Sequence, residues 1–135
     1  MAGELTGDLT VEECWARLGE RGVGRLAVVA DDGILITPID YLVHEGALYF
    51  RSAPGDKLAA LAVRPEVALE AEGHAGHRRW TVLVSGLARR LDADDEIAAS
   101  GVAELRTTVA GERDNFVRID ARRVTGRRFV ERGAL

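Results

Sequence analysis

The chain has 135 residues, 47% of them hydrophobic and 30% charged, and carries a formal charge of −4 at neutral pH. Such a length suits one domain with a real core, predicted over residues 1–135, and such a balance excludes a disordered or fibrous chain. The acidic sign argues against nucleic acid and anionic membrane as partners, and no apolar run reaches the ~18–20 residues of a membrane span, so small molecules or a second protein chain are expected instead.

Residues 1–8 read as a loose terminus, and Met1-Ala2-Gly3-Glu4 lacks the basic-then-apolar opening of a signal peptide, so the cytoplasm is the expected compartment. Thr10 followed by Glu13 is a capping box that opens a helix over residues 11–21, with Val11, Cys14, Trp15 and Leu18 on one face. Cys14, the only cysteine, reads as a small core residue with no internal disulfide partner, in keeping with a reducing compartment. Two β-branched runs, 25–30 and 34–44, flank the turn Asp31-Asp32-Gly33 and predict a hairpin. Pro38 interrupts the second run. Proline has no N–H for a ladder, so this strand is expected at an edge, bulged, or open to a ligand that pairs with the backbone beside Thr37 and Ile39.

Ala47-Leu48-Tyr49-Phe50 is the next strand, ending at Arg51 and Ser52, and a helix over 54–63 follows with Pro54 in its first turn and Leu58, Leu61 and Ala62 spaced for burial. Residues 66–72 alternate as a half-buried strand, 73–79 read as a loop, and 80–91 form a long strand that Gly86 bends or bulges. A helix capped by the acidic run 92–96 extends to about residue 106, and a last β segment covers 115–131, broken at Thr125-Gly126. Six or seven strands joined mostly by tight turns, with three short helices, predict a mainly β, antiparallel barrel or sandwich.

The stretch FRSAPGDKLAAL, from Phe50 to Leu61, holds the strongest candidate site. A strand runs into a helix N-terminus, whose unpaired N–H groups and positive dipole end stabilise an anion. Arg51 can grip a phosphate bidentately, Ser52 can donate a hydroxyl, and Lys57 can reach back from the helix as a point charge. Lys57 is the only lysine among eighteen basic residues. The competing reading is two solvated surface charges beside an ordinary connection.

Other constellations carry less. No glycine-rich nucleotide loop and no Gly-x-Ser-x-Gly elbow occurs, so no catalytic side chain is assigned. His74-x-x-His77 matches neither a helical metal pair nor a zinc finger, and no metal is assigned. Arg122, Arg123, Arg127 and Arg128 have no interleaved aromatic residues and read as the charged outer face of a terminal strand pair. Trp80, beside Arg78 and Arg79, is either core or a stacking surface for a planar ring.

In this order, the capped helix, GVGRLAVV, ITPIDY, LYFRSAPGDKLAAL, VALEAE and WTVLVSGLARRL resemble the pyridoxamine 5'-phosphate oxidase-like family of flavin-binding split barrels. The similarity runs over about residues 10–91, with a further likeness in VRIDARRVTGRRF. It implies an antiparallel split β-barrel of six to seven strands with short flanking helices, forming a homodimer with FMN in a cleft between subunits. By position, Arg51, Ser52 and Lys57 would bind the flavin phosphate, Thr37, Pro38 and Ile39 would lie along the ring edge, and Trp80 would belong to the ring or partner-subunit wall. Asp40 stands where similar small members often carry Asn. The terminal residues Glu131-Arg132-Gly133-Ala134-Leu135 lack the Arg-x-His segment for pyridoxal phosphate, so the namesake reaction is not expected. The implied activity is an FMN-dependent oxidoreductase with an unassigned substrate and electron donor. The alternative is a non-catalytic binding or sensing protein that holds a flavin, deazaflavin, FAD or haem, with His44, His74 and His77 as haem-ligand candidates.

Overall fold

The computed structural model describes residues 6–106 and 115–130. Strands and helices follow in the order β1 (Gly7–Asp8), α1 (Val11–Leu18), β2 (Arg21–Ala30), β3 (Gly33–His44), β4 (Ala47–Ser52), α2 (Asp56–Val63), β5 (Glu66–Ala75), β6 (Arg78–Arg90), α3 (Asp94–Ser100), a 3-10 turn (Val102–Glu104) and β7 (Asn115–Val130). Every pairing is antiparallel, running β7-β4-β3-β2-β5-β6 and back to β7. Six strands therefore close on themselves, which removes most unpaired edges. β1 adds to the far end of β7, opposite Arg127 and Arg128.

The barrel is split at β3. This strand pairs with β2 from Gly33 to Leu42 but with β4 only through Leu42, Val43 and His44. From Gly33 to Tyr41 its second edge faces no strand among the described residues, and Pro38 sits in that stretch opposite Arg25. In a regular ladder the proline nitrogen must turn to the open side. Thr37 and Ile39 then direct their N–H groups at β2, and the backbone of Ile36 and Pro38 turns to the open edge.

The interior is filled by Leu26, Val28, Leu48, Phe50, Leu69, Val82, Val84, Val117 and Ile119, each shielded from water. Helix α1 stops one end with Cys14 and Leu18, while α2 stops the other with Leu61. Each such side chain contributes about 1.5–3 kcal/mol by burial. A second, smaller cluster lies on the outer face, where Leu42, Tyr49, Leu91, Val102 and Leu105 pack beneath α3 and the 3-10 turn.

Several elements differ from the sequence reading. Helix α1 ends at Leu18 because Gly19 (φ +70°) turns the chain into β2, and Val11 stays exposed. The strand then starts at Arg21 rather than residue 25, since Gly22 and Gly24 lie within it. A Cβ on Gly22 would collide with the Tyr41 hydroxyl, which donates to the Leu18 carbonyl at 2.8 Å. Residues 73–79 are not a loop: β5 and β6 continue to Ala75 and from Arg78, and turn through Gly76. β7 is unbroken at Thr125-Gly126, where the glycine serves close approach, for its Cβ would lie 2.8 Å from Cys14 Sγ. Helix α3 has Ala93 at its N-cap and ends at Ser100. Gly86 does mark a bulge: Ser85 pairs with Arg123 and Gly86 with Ala121, leaving Arg122 as the extra residue. Among the described residues, no helix is long and apolar enough to cross a membrane.

Candidate functional site

The chain leaves β4 at Ser52 and enters α2 at Asp56. The N-cap residue is Gly55, and no side chain caps the helix. A start of this kind can present backbone N–H groups to an acceptor. The absence of a Cβ at Gly55 leaves open space beside them, with nothing within 4 Å of where one would sit. Pro54 and Gly55 form one lip of an apolar groove of about 560 Å³, continued by Leu58, Ala62, Pro65 and Ala88, with Arg89 and Arg90 at its rim.

Strand alternation distributes the predicted anion ligands over two faces. Phe50 and Ser52 face inward, and both are buried. The Lys57 ammonium sits on this side, 5.5 Å from the Phe50 ring centroid, a cation–π distance. Ser52 donates its hydroxyl to the Ala53 carbonyl at 2.7 Å, while its own carbonyl accepts from Asn115 Nδ2 at 3.2 Å. Arg51 faces outward beside Phe116, its pairing partner on β7, at 5.6 Å from that ring. Its Nη1 donates to the carbonyls of Ala103 and Leu105 at 3.0 and 3.1 Å, tying the 3-10 turn to the strand. Ser52 and Lys57 are thus brought to one side of β4, while Arg51 is drawn to the other by the turn's carbonyls. The period-two pattern of β4 carried that signal.

The other predicted positions fall elsewhere. Thr37 is half-buried, Pro38 exposed and Ile39 buried, all on the β3 stretch with the open edge, and Thr37 Oγ1 approaches the Pro38 carbonyl at 3.4 Å. Trp80 lies eight residues along β6 from Ala88, which lines the α2 groove, a span of about 26 Å in extended chain. Within one chain Trp80 is therefore at the opposite end of the barrel from Lys57. It stands across from Gly73 and Arg128. Its indole packs against Gly73, where a Cβ would come within 2.5 Å of the ring. Arg128, expected on the outer face, turns inward after the bulge and meets Glu13 at 3.3 Å, whereas Arg123 and Arg127 stay exposed. Among the described residues no group of three or more His, Cys, Asp or Glu side chains gathers as a metal site.

The outer cluster carries an ionic network that sequence reasoning missed. Arg89 holds Glu96 bidentately, with one bond at 3.1 Å, and Arg118 bonds Asp120 at 2.7 Å and the Tyr49 hydroxyl at 2.9 Å. The Arg89 hydrogen bonds keep the Glu96 carboxyl below the usual carboxylate range, and burial pushes the Tyr49 phenol up. These bonds fasten α3 over the β6–β7 face. Cys14, sealed under α1, has its thiol raised by burial and so lacks the thiolate character of a nucleophile.

Comparison with known proteins gives a consistent picture. The family model described as pyridoxamine 5'-phosphate oxidase matches residues 10–128. A Corynebacterium glutamicum protein, described as a candidate pyridoxamine 5'-phosphate oxidase, superposes with a TM-score of 0.81 at 31% identity, over 93% of this chain and 94% of that one. An FAD-binding protein of Mycobacterium smegmatis superposes with a TM-score of 0.74 at 30% identity, over 91% and 98%. A curated relative from Rhizobium meliloti with no assigned activity is 35% identical over 83 residues, covering 61% of this chain, which spans 55% of that relative's length.

Proposed function

The chain belongs to the pyridoxamine 5'-phosphate oxidase family, and from that premise we propose that it is a homodimeric, FMN-dependent oxidoreductase whose flavin phosphate sits at the start of α2. One observation carries the reading: the uncapped helix N-terminus, with its open glycine, lies on the same side of β4 as the chain's only ammonium side chain. Lys57 and the first amides of α2 take the phosphate charge, and Ser52 shapes the strand end. Arg51, engaged by Ala103 and Leu105, fixes the position of that end and adds positive charge from the far side. The open edge of β3, with Thr37, Pro38 and Ile39, meets the polar rim of the ring system. The flavin supplies the redox chemistry when bound; the protein anchors it and keeps its surroundings dry.

The outer face of the β2–β3 hairpin supports the second copy. Ile34 and Ile36 are 68% and 66% exposed, and Val23 and Val29 share that face. An apolar patch of this kind marks an interaction surface. The seat so described is built from α2, Lys57 and the open edge of β3, and Trp80, at the other end of the barrel, stands outside it.

The test is a titration with FMN, run beside FAD and haem and followed by visible absorbance and thermal melting. At ~100 times its dissociation constant the ligand adds about 2.7 kcal/mol of stability. Lys57→Ala weakens flavin binding about 10- to 100-fold, the loss of a charged hydrogen bond. No shift with either flavin overturns the reading. The Mycobacterium smegmatis relative is described by what it binds and not by a reaction, which favours one second reading: a carrier or sensor of flavin without turnover. A bound flavin that no reduced nicotinamide or other reduced donor can reduce selects it.

A further inference from the structure

At the end of the barrel away from Lys57, a separate cavity of about 320 Å³ opens between α1 and the β5–β6 hairpin. Its walls are Arg17 of α1, Arg78 and Arg79 of β6, and Arg128 of β7, with Trp80 and His74 among the remaining residues. Four arginines line it in a chain that is acidic as a whole. Among the described residues Glu13 meets Arg128 at 3.3 Å, and Glu72 meets Arg79 at 4.0 Å. Arg17 and Arg78 are exposed and make no ion pair among the described residues, so the cavity keeps an excess of positive charge.

Two further features point to a ligand. Arg128 engages Glu13 through Nη1, and its Nε is buried with no hydrogen-bond partner among the described residues. Trp80 packs against Gly73 and borders the cavity beside Arg128. Guanidinium planes beside an indole suit a flat, negatively charged molecule, with the ring stacked and the anion held in forked hydrogen bonds. The volume lies at the small end of the ~300–1,000 Å³ range of ligand pockets, which limits the guest to one or two rings.

We propose that this cavity is a second binding site, for a small planar aromatic acid, whose anionic group is held by Arg17, Arg78 and Arg128 and whose ring lies against Trp80. It is distinct from the flavin seat and does not need it. The probe is 2-naphthoate, titrated calorimetrically against the full-length protein, with its fully saturated analogue as the control of equal charge. The expected result is one site per chain, at least fivefold weaker binding of the saturated acid, and at least tenfold weaker binding of 2-naphthoate by Arg128→Gln and by Trp80→Leu. Arg78→Gln, at an exposed position that does not threaten folding, weakens it at least threefold. Lys57→Ala leaves 2-naphthoate binding unchanged while it lowers flavin affinity, and saturating FMN does not compete. The proposal is overturned if the Arg78→Gln protein binds the probe as the parent does, if both acids bind equally, or if FMN displaces the probe.

Discussion

Helices α1 and α2 are both eight residues long, and each stops one end of the same barrel, yet their starts are built in opposite ways. In α1 the Thr10 hydroxyl accepts from the Glu13 N–H at 3.1 Å, and the Glu13 carboxylate accepts from the Thr10 N–H at 2.9 Å, so the protein satisfies its own helix terminus. In α2 the corresponding place is held by Gly55, and no side chain does that work. The contrast separates two tasks that a short helix can perform: α1 only plugs, while α2 plugs and also presents donors. A terminus left without a cap costs stability, and an external anion can supply the missing acceptor.

This comparison can be broken or sharpened by substitution. The largest effects come from the plugs themselves: Leu18→Ala and Leu61→Ala remove side chains that are each 2% exposed, and each costs about 2–5 kcal/mol in denaturant unfolding. A cost for one several times that for the other would show that the two ends are not equivalent supports. Next is Gly126→Ala, which sets a Cβ 2.8 Å from Cys14 Sγ and 2.9 Å from the Thr81 carbonyl and lifts α1 from its seat, for a loss of about 1–3 kcal/mol. Thr10→Ala dissolves the capping box at a cost of about 1 kcal/mol, seen as a lower melting temperature with flavin affinity unchanged.

The sharpest test is smaller in stability and larger in binding. Gly55→Asp gives α2 the cap it lacks and raises the apo protein's stability by a few tenths of a kcal/mol. The same carboxylate repels a phosphate, so flavin affinity falls by about tenfold or more; unchanged affinity would remove the anion from α2. The smallest effect lies outside both helices. Glu96 is held below its ordinary value of 4.5 chiefly by Arg89, so its stabilising contribution is present above that value and is lost as pH falls through the lower folded one. Arg89→Gln removes the interaction, and urea midpoints measured at about pH 6 and pH 3 then differ less for the variant than for the parent.

The sequence reading reached an antiparallel barrel or sandwich, the capping box of α1 and the bulge at Gly86 because each rests on local chemistry: period-two runs, a Thr-x-x-Glu spacing and a glycine inside a long strand; the split barrel came from the family resemblance. It misjudged the glycine-bearing stretches at 22–24, 73–79 and 125–126, reading turns where strands continue. Those glycines answer to side chains on neighbouring strands and helices, the Tyr41 ring, the Trp80 indole and the Cys14 sulfur. Local punctuation cannot separate a glycine that turns the chain from one that makes room for another part of it.

The candidate site divides along the same line. The pattern of residues 50–57 by itself determined that a strand hands over to a helix beside a lone lysine, because polarity, proline and spacing act within a few residues. Only the closed sheet decided which face each charge takes: β7 brought Phe116 and the 3-10 turn to Arg51, leaving Lys57 with Phe50 on the inner side. Closure likewise carried Arg17, Arg128 and Trp80, from three distant segments, to one cavity. Side-chain direction is set by strand register, and register is fixed by pairing partners that no single segment contains.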